Sequence, residues 1–366
     1  MTAESALRRM LSHVLADIRG DTLVRRVVTL EDDGMRVGSM RVPWPKGKLR
    51  IHGAGKAAAA MASGLHGLLG DRVESGLLIL KDEAPLGDPF ECLQSSHPHL
   101  DERSLEAGER MFAAAQACGP DDLVLFVLSG GASALMELPR QGISLDDLKR
   151  QYREWFLAGL PIDEMNRRRA SVSALKGGGL GAAHGSARVV VLVLSDVRGN
   201  DLRVIGSGPL FGPRPHVLVG DASVALKSAV ESLPNIDLAV HPEFLTGDAN
   251  TIEFDFTRSF VCVGEPTLAI PPNAPAGGRA QHLALRCVPT LPPGSAFLAL
   301  GTDGSDGPTP IAGALVTPDH YRDNVSEALR QFDATRFLGE VGALLTTGAT
   351  GSNVNDLYAF IRDPAR

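Results

Sequence analysis

The sequence predicts an α/β fold carried by two domains, and three observations predict it. Short apolar runs rich in β-branched residues recur along the chain. Between them apolar residues repeat at helical spacing, and 366 residues exceed what one small core holds. The strand candidates are almost continuously apolar, the pattern of a sheet that helices cover on both faces.

Taken in order, MTAESALRRMLSHVLADIRGD alternates charge with Leu, Val and Ile and reads as a helix rather than a signal peptide. LRIHGAGK (49–56) is the first strong strand and opens the alanine-rich helix KAAAAMASGLHGLLG. GLLILKDEAP (76–85) is a strand with a less distinctive end, followed by the helix SLEAGERMFAAAQA. LVLFVLSGGAS (123–133) is a strand, ISLDDLKRQYREWFLAG a helix, and Glu164 to Arg169 a helix with a basic end that Gly177, Gly178 and Gly179 stop. VVVLVLSDVRG (189–199) is the most hydrophobic strand. Prolines without strong chemistry mark a boundary region at 209–258, and FVCVGEPT (260–267), FLALGTDGSDG (297–307) and ALLTTGATGSN (343–353) supply strands beyond it.

Composition narrows the function. Apolar residues at 44% and charged residues at 22% exclude disordered and fibrous classes. A net charge of −7 with 5% aromatics gives nucleic acid neither counter-charge nor stacking platforms. Cys92, Cys118, Cys262 and Cys287 are far apart with no CxxC, so they read as buried thiols of a reducing compartment rather than a zinc knuckle or disulfide framework. No apolar stretch reaches the ~18 to 20 residues of a membrane span, and the chain is expected in the cytoplasm without a membrane partner.

The excess lies in 40 glycines and 24 prolines. Six strand candidates end in glycine with Ser, Asp, Glu or Lys, where open α/β sheets bind ligands. One multi-loop site for an anionic ligand is expected, in a cleft between the domains. His52-Gly53-Ala54-Gly55-Lys56 lacks the GxxxxGK of a P-loop, but Lys56 opposes the helix dipole unless it holds an anion, which makes it a phosphate candidate as well as a plain surface lysine. The same residues fit GxGxxA, a weak dinucleotide fingerprint, with Asp82 as ribose acid. Ser129-Gly130-Gly131-Ala132-Ser133 can form a nest of N–H groups for phosphate, and it lacks the GxSxG elbow of a nucleophilic serine.

Arg167 and Arg168 read as a solvated helix face. Asp196, at the end of its strand, can ligate Mg²⁺, accept a hydroxyl proton or cap a helix. Ser207 and Gly208 can complete a phosphate loop. Further on, Glu265 lies in GEPT and Arg279 follows two glycines, where it can neutralise a phosphoryl group or clamp a carboxylate. Asp303 and Asp306 share a tight loop that lacks the twelfth-position glutamate of a calcium site, and residues 347–356 add hydroxyls and amides, Asn353 and Asn355 among them.

The ordered set GAGKAAAAMA, SHPHLDERS, DDLVLFVLSGGASALMELP, Glu164 to Gly178, LSDVRGNDLRVIGSGP, GEPT, GGRAQ, GTDGSDGPT and TTGATGSNVNDL resembles the two-domain glycerate 2-kinases with a C-terminal MOFRL domain, sometimes labelled hydroxypyruvate reductases. The resemblance implies two dissimilar three-layer α/β/α domains. The first, 1–215, would be Rossmann-like with a mainly parallel sheet; the second, 216–366, MOFRL-type with a mixed sheet, its last residues free to pack back on the first domain. It also implies ATP-dependent phosphorylation of D-glycerate to 2-phosphoglycerate with Mg²⁺, and a homodimer is compatible with it. Lys56 matches the family lysine that meets the phosphoryl group, Arg279 the arginine across the cleft, and Asp196 the SDV aspartate, as catalytic group and metal ligand. Asn166, Arg169, Ser173 and Lys176 fall on N-x-x-R-x-x-x-S-x-x-K-G-G. Of these, Asn166, Arg169 and Lys176 are expected on the substrate with Glu265, Asp303, Asn353 and Asn355; Gly53, Gly55, Ser129, Gly130, Gly131, Ser133, Ser207 and Gly208 are expected on nucleotide phosphates.

The chain departs from the family pattern at Ala170 and Ser171, where lysine and histidine are usual, at Val263 and Pro266 of GGET, at Ala280 and His282 of GGRNQE, and at Pro310 and Ile311 of GPTDAAG. These changes are expected on the acceptor side of the site. Two rival readings accompany the kinase: an NAD(P)-dependent hydroxypyruvate reductase, and a non-catalytic sugar-acid-binding homologue.

Overall fold

The computed structural model describes residues 1–82 and 85–362. They form two compact units, one of Arg19–Asp221 and one that joins Met1–Ile18 to the chain from Ala222 onward. The border therefore falls after Asp221, near the expected 215, but the first helix, α1 (Ala3–Asp17), belongs to the second unit. Thr2 caps α1 by accepting from the Ser5 amide at 3.2 Å, and Ala3, Ala6, Leu7, Met10, Leu11 and Val14 form its buried stripe. A stripe of this kind needs a sheet to cover, and periodicity alone does not say which of two sheets it finds.

The unit Arg19–Asp221 begins with α2 (Gly20–Val27) and an antiparallel meander of β1 (Val28–Glu31), β2 (Gly34–Val37) and β3 (Met40–Pro43). Then come β4 (Leu49–Ala54), α3 (Ala58–Leu69), β5 (Val73–Leu80), β6 (Phe90–Gln94), α4 (Glu102–Gln116) and β7 (Leu123–Ser129). The unit ends with α5 (Ala132–Leu135), α6 (Leu145–Leu157), α7 (Ile162–Val172), α8 (Gly179–Ala183), β8 (Arg188–Leu194) and β9 (His216–Gly220). Its six-stranded sheet runs β6-β5-β4-β7-β8-β9, and every pairing is parallel.

Alternate residues of the central strands face opposite layers. Val124, Phe126 and Leu128 of β7 with Val189, Val191 and Val193 of β8 pack under Met111, Ala115 and Leu180 of α4 and α8. Each such side chain contributes about 1.5 to 3 kcal/mol when fully buried. The opposite face is covered by α2 and α3. His52 of β4 is also interior; burial first, then His184 and Arg50, push its pKa down to about 3, so the imidazole is neutral. Helix α7 stops at Val172 rather than at the glycines, because the Ser173 hydroxyl accepts from the amides of Leu175 (3.2 Å) and Lys176 (3.3 Å) and folds a separate turn.

The second unit adds α9 (Ala222–Ser232), β10 (Ala239–Val240), β11 (Phe260–Gly264), α10 (Arg279–Cys287), β12 (Ser295–Gly301) and β13 (Gly313–Val316). After these come α11 (Val325–Arg330), α12 (Ala334–Glu340), β14 (Leu344–Leu345) and β15 (Asp356–Arg362). Its sheet is mixed, in the order β10-β11-β15-β12-β13-β14, with only β10 and β11 parallel. One face packs Phe260, Phe297, Tyr358 and Phe360 under α10 and α12; α1 and α9 cover the other. The last described residues do not leave this unit: β15 sits in the middle of its sheet, between β11 and β12. The expected strand at 343–353 is only the two residues of β14, and the rest is loop.

Candidate active site

In the first unit the carboxyl ends of three adjacent strands, β4, β7 and β8, are level, since Ala54 pairs with Leu128 and Ser129 with Leu194. Lys56, Gly130 with Gly131, and Asp196 each lie within two residues of those ends. The Lys56 amide donates to the Gly130 carbonyl at 3.0 Å, and the Ala57 amide to the Ser129 hydroxyl at 3.0 Å. These bonds lock the half-buried Lys56 side chain beside the β7 loop. The Gly131 backbone has φ +89°, and a Cβ there would stand 3.3 Å from His97 Nε2 and 3.4 Å from Lys56 Cγ. Gly131 thus keeps open a small cradle walled by a lysine and a histidine. Asp196 is half-buried in a turn shaped by Ser195, whose amide donates to the Gly220 carbonyl at 3.0 Å and whose hydroxyl accepts from the Val197 amide at 3.2 Å.

Two expected phosphate contacts turn out to be scaffolding. Gly53 lies inside β4, where a Cβ would meet Val127 Cγ2 at 2.3 Å, so its small size serves strand packing and it is not part of a loop. Ser129 is fully buried with its hydroxyl taken by the Ala57 amide. Gly55 lies against Ser129, at the crossing that these bonds close. Asp82 is exposed beyond the end of β5.

A polar network continues from the β7 loop. The hydroxyls of Ser133 and Ser207 are 2.8 Å apart, and Ser207 donates to Asn166 Oδ1 at 3.1 Å. The Gly177 and Gly178 amides donate to the carbonyls of Ser207 (3.1 Å) and Gly208 (2.7 Å), which ties this loop to the turn after α7. Asn166 Nδ2 and Arg169 Nε, one turn apart on α7, are buried and have no hydrogen-bond partner among the described residues. Each unmet donor costs about 1 to 3 kcal/mol, so an acceptor is expected there.

Lys176, expected on the substrate, instead points inward. It is 3% exposed, with its ammonium on the Glu137 carboxylate and on the Ser133 carbonyl at 3.0 Å. Burial would raise Glu137, but Lys176 and the hydroxyls of Ser173 and Tyr152 outweigh it and hold the carboxyl below its ordinary range. Tyr152 donates to Glu137 at 2.7 Å and carries the Arg169 guanidinium over its ring at 5.1 Å. Glu137 and Tyr152 escaped the sequence reading because neither sits at a strand end; an acid, 0% exposed, is visible only once the fold is known.

In the second unit the ends of β11 and β12 and the start of β15 form another cluster. Arg279 Nε donates to Asp356 at 2.6 Å, its Nη2 reaches the same carboxylate at 3.2 Å, and Glu265 lies 3.3 Å away. Asn355 Nδ2 donates to Glu265 at 3.2 Å, and Tyr358 to Asp356 at 2.9 Å. Burial would lower the Arg279 pKa, but Asp356 and then Glu265 more than offset it, so the guanidinium stays charged. Asp306 caps α10, accepting from the amides of Ala280 (3.1 Å) and Gln281 (2.8 Å). Burial, aided by Asp356, pushes Asp306 up to about 6 against those bonds. Asp303 accepts from the Ser305 amide (2.9 Å) and hydroxyl (3.0 Å); Asn353 is buried in the loop before Asn355.

The departures from the family pattern fall largely on packing. Ala280, Val263 and Pro266 are buried, and His282 is interior, stacked 5.4 Å from Phe332 and 3.0 Å from Asn250 Oδ1, whereas Pro310 is exposed and Ile311 half-buried. Ala170 lies under the Gly177 turn, and the Ser171 hydroxyl donates back to the Arg168 carbonyl.

Two family models match the chain: the Domain of unknown function DUF4147 over residues 6–232 and the MOFRL family over residues 258–356. A D-glycerate 2-kinase from Thermotoga maritima is 31% identical, over 83% of this chain and 88% of that protein. A protein from Agrobacterium vitis, provisionally named hydroxypyruvate reductase, is 29% identical over 94% of this chain and 95% of its own. A crystal structure of glycerate kinase from Thermotoga maritima superposes with a TM-score of 0.83 at 25% identity, covering 98% of this chain and 99% of that one.

Proposed function

The chain belongs to the glycerate 2-kinase family that joins a DUF4147 domain to a MOFRL domain, and from that premise we propose that it transfers the terminal phosphoryl group of ATP to the 2-hydroxyl of D-glycerate. Within the first unit, the observation that carries the reading is the run from the cradle at Gly131, through Ser133 and Ser207, to the unmet donors of Asn166 and Arg169. A small hydroxy acid supplies the missing acceptor, its carboxylate, while the cradle with Lys56 suits a phosphate.

In this reading Lys56 offsets the charge that develops on the moving phosphoryl group, and the Gly130 and Gly131 backbone orients the phosphates. Arg169 and Asn166 hold the acid so that its hydroxyl is fixed, and Lys176 with Glu137 keeps the Ser133 segment in register. In the second unit, Arg279, held in place by Asp356, is a cation that suits a phosphoryl oxygen. Mg²⁺ entering with ATP would neutralise phosphate charge, and a half-buried carboxylate at a strand end offers the hard oxygen ligands that such an ion prefers. Asp196 is that carboxylate, and it is also the group available to accept the hydroxyl proton.

The reductase reading has weaker support. Its fingerprint needs Gly53 in a strand-ending loop, and Gly53 is inside β4. The test is ADP release by the purified protein with Mg·ATP and D-glycerate. Lys56→Ala and Arg279→Gln should each lower turnover at least about a hundredfold with the circular dichroism spectrum unchanged. Near wild-type turnover in both variants, or oxidation of reduced nicotinamide by hydroxypyruvate without ATP, would refute the assignment.

A further inference from the structure

Toward the amino ends of the central strands of the first sheet, away from the carboxyl ends just described, three chemistry-bearing side chains meet that the kinase reading does not use. His52 comes from β4, Cys118 from the turn that leads into β7, and His184 from the end of α8, just before β8. One ligand atom from each lies within 4.8 Å of the other two. His52 and His184 are 3% and 1% exposed. His52 Nδ1 and His184 Nε2 have no hydrogen-bond partner among the described residues.

Their surroundings favour coordination over simple packing. His184 Nδ1 stands 2.9 Å from the Leu180 carbonyl, and a ring N–H donated there leaves the Nε2 lone pair available. The Cys118 thiol donates one weak hydrogen bond, 3.3 Å to the Ala114 carbonyl, which a metal–sulfur bond would replace. Two buried imidazole nitrogens without donors are costly in an apolar layer, and the rings, 6.0 Å apart and tilted, do not satisfy each other.

We propose that His52, Cys118 and His184 form a site for a thiophilic transition-metal ion of the Zn²⁺ class, separate from the Mg²⁺ that accompanies ATP. Two imidazoles and a thiolate are the ligands such an ion selects, whereas Mg²⁺ prefers oxygen. Bond lengths of about 2.0 to 2.3 Å require the ligand atoms to draw together by about 1 Å, within reach of side-chain rotation. The thiol proton leaves to solvent when the metal–sulfur bond forms. Cys118 is half-buried, which gives the ion a way in and leaves a fourth position for water. The ion ties β4 to the ends of α4 and α8, so its role is to brace the sheet rather than to take part in phosphoryl transfer. The residues come from positions 52, 118 and 184, so no local spacing motif announces the site.

The chelator-treated full chain is titrated with Co²⁺ alone as the spectroscopic probe, and thermal denaturation is followed with Zn²⁺ alone. One equivalent of Co²⁺ per chain should produce thiolate-to-cobalt charge transfer, displaced by Zn²⁺ and untouched by Mg²⁺. Zn²⁺ at about a hundredfold over its dissociation constant should raise the melting temperature of this unit by about 5 to 10 °C. Cys118→Ser should abolish the charge-transfer band with the far-ultraviolet circular dichroism retained, and His184→Gln should weaken Zn²⁺ binding at least about tenfold. No charge transfer in the wild type, a band that survives Cys118→Ser, or a melting temperature indifferent to Zn²⁺ would overturn the proposal.

Discussion

Lys176→Met removes the ammonium from a pair in which Lys176 is 3% and Glu137 0% exposed. The carboxylate left behind keeps the Leu138 amide at 3.0 Å and the Tyr152 hydroxyl at 2.7 Å but loses its paired ammonium, and only the more distant Arg169 guanidinium offsets its charge. Stranding one partner of a buried pair costs about 3 to 5 kcal/mol, and in a unit of about 200 residues each kcal/mol moves the midpoint by about 2 to 4 °C, so a fall of about 6 to 20 °C is expected. Replacing both partners, as Lys176→Met with Glu137→Leu, should recover most of that loss, because a buried pair is worth little against apolar groups of similar volume.

The pH dependence has a definite sign. In the wild type the Glu137 pKa is depressed below its ordinary 4.5, so the pair's contribution is present above that value and is lost as pH falls through the folded value. Without Lys176, burial is opposed by the hydroxyls of Ser173 and Tyr152 but no longer by the ammonium, so Glu137 moves up from its wild-type value and the deficit of the single variant should be greatest at neutral pH and above and shrink as the acid takes up a proton at lower pH. Both measurements come from calorimetry of the two variants across pH. Turnover should fall in the single and in the double variant alike, since each loses the Lys176 bond to the Ser133 carbonyl. If the two variants melt together, or the deficit does not change with pH, the buried ion pair is not what holds this loop.

Asp306 has a raised folded pKa of about 6 against an ordinary 3.8, so the second unit should lose about 3 kcal/mol of stability as pH rises from about 4 through 6. Asp306→Asn, which keeps an acceptor at the α10 cap, should flatten that slope in denaturant titrations; an unchanged slope would disprove the assignment. Gly131→Ala should cost about 1 to 2 kcal/mol for its positive φ and raise the KM for ATP more than it lowers folding, because its Cβ enters the cradle between His97 and Lys56. A KM within twofold of wild type would show that the cradle does not hold a phosphate.

The parallel sheet was legible because β7 and β8 are near-continuous runs of Val, Leu and Phe, and β4, though it holds Arg50 and His52, ends in a glycine-rich turn that needs no tertiary information to read. The meander β1-β2-β3 was not, since four-residue strands with alternating charges carry no period long enough to read. Strand β15 was missed for a different reason: DLYAFIR is as apolar as the others but has no glycine-rich end to draw attention to it. Lys56, Gly131, Ser133 and Ser207, named from residue type and position, and Asn166, named from the family resemblance, lie in the first unit in contact with one another in pairs, Lys56 beside Gly131 and Ser207 between Ser133 and Asn166. The roles of Ser129 and Lys176 were misread because a hydroxyl and an ammonium look alike in sequence whether they face a ligand or a buried partner, and only the 3.0 Å bond to Ala57 and the contact with Glu137 distinguish the two.

The two carboxylates on Arg279 differ in a way that bears on how a charged ligand reaches it. Asp356 is buried, holds Nε at 2.6 Å and is itself held by Tyr358, so it fixes the plane of the guanidinium and leaves only with the fold. The Glu265 side chain is 49% exposed and stands 3.3 Å from Nη2, the geometry of a pair worth about 1 kcal/mol or less in water. In the proposed transfer, an incoming phosphoryl oxygen would compete with Glu265 and not with Asp356, against a guanidinium that is already oriented. On that proposal Arg279 would need no rearrangement to act, since the strong partner fixes its direction and the weak one would give way.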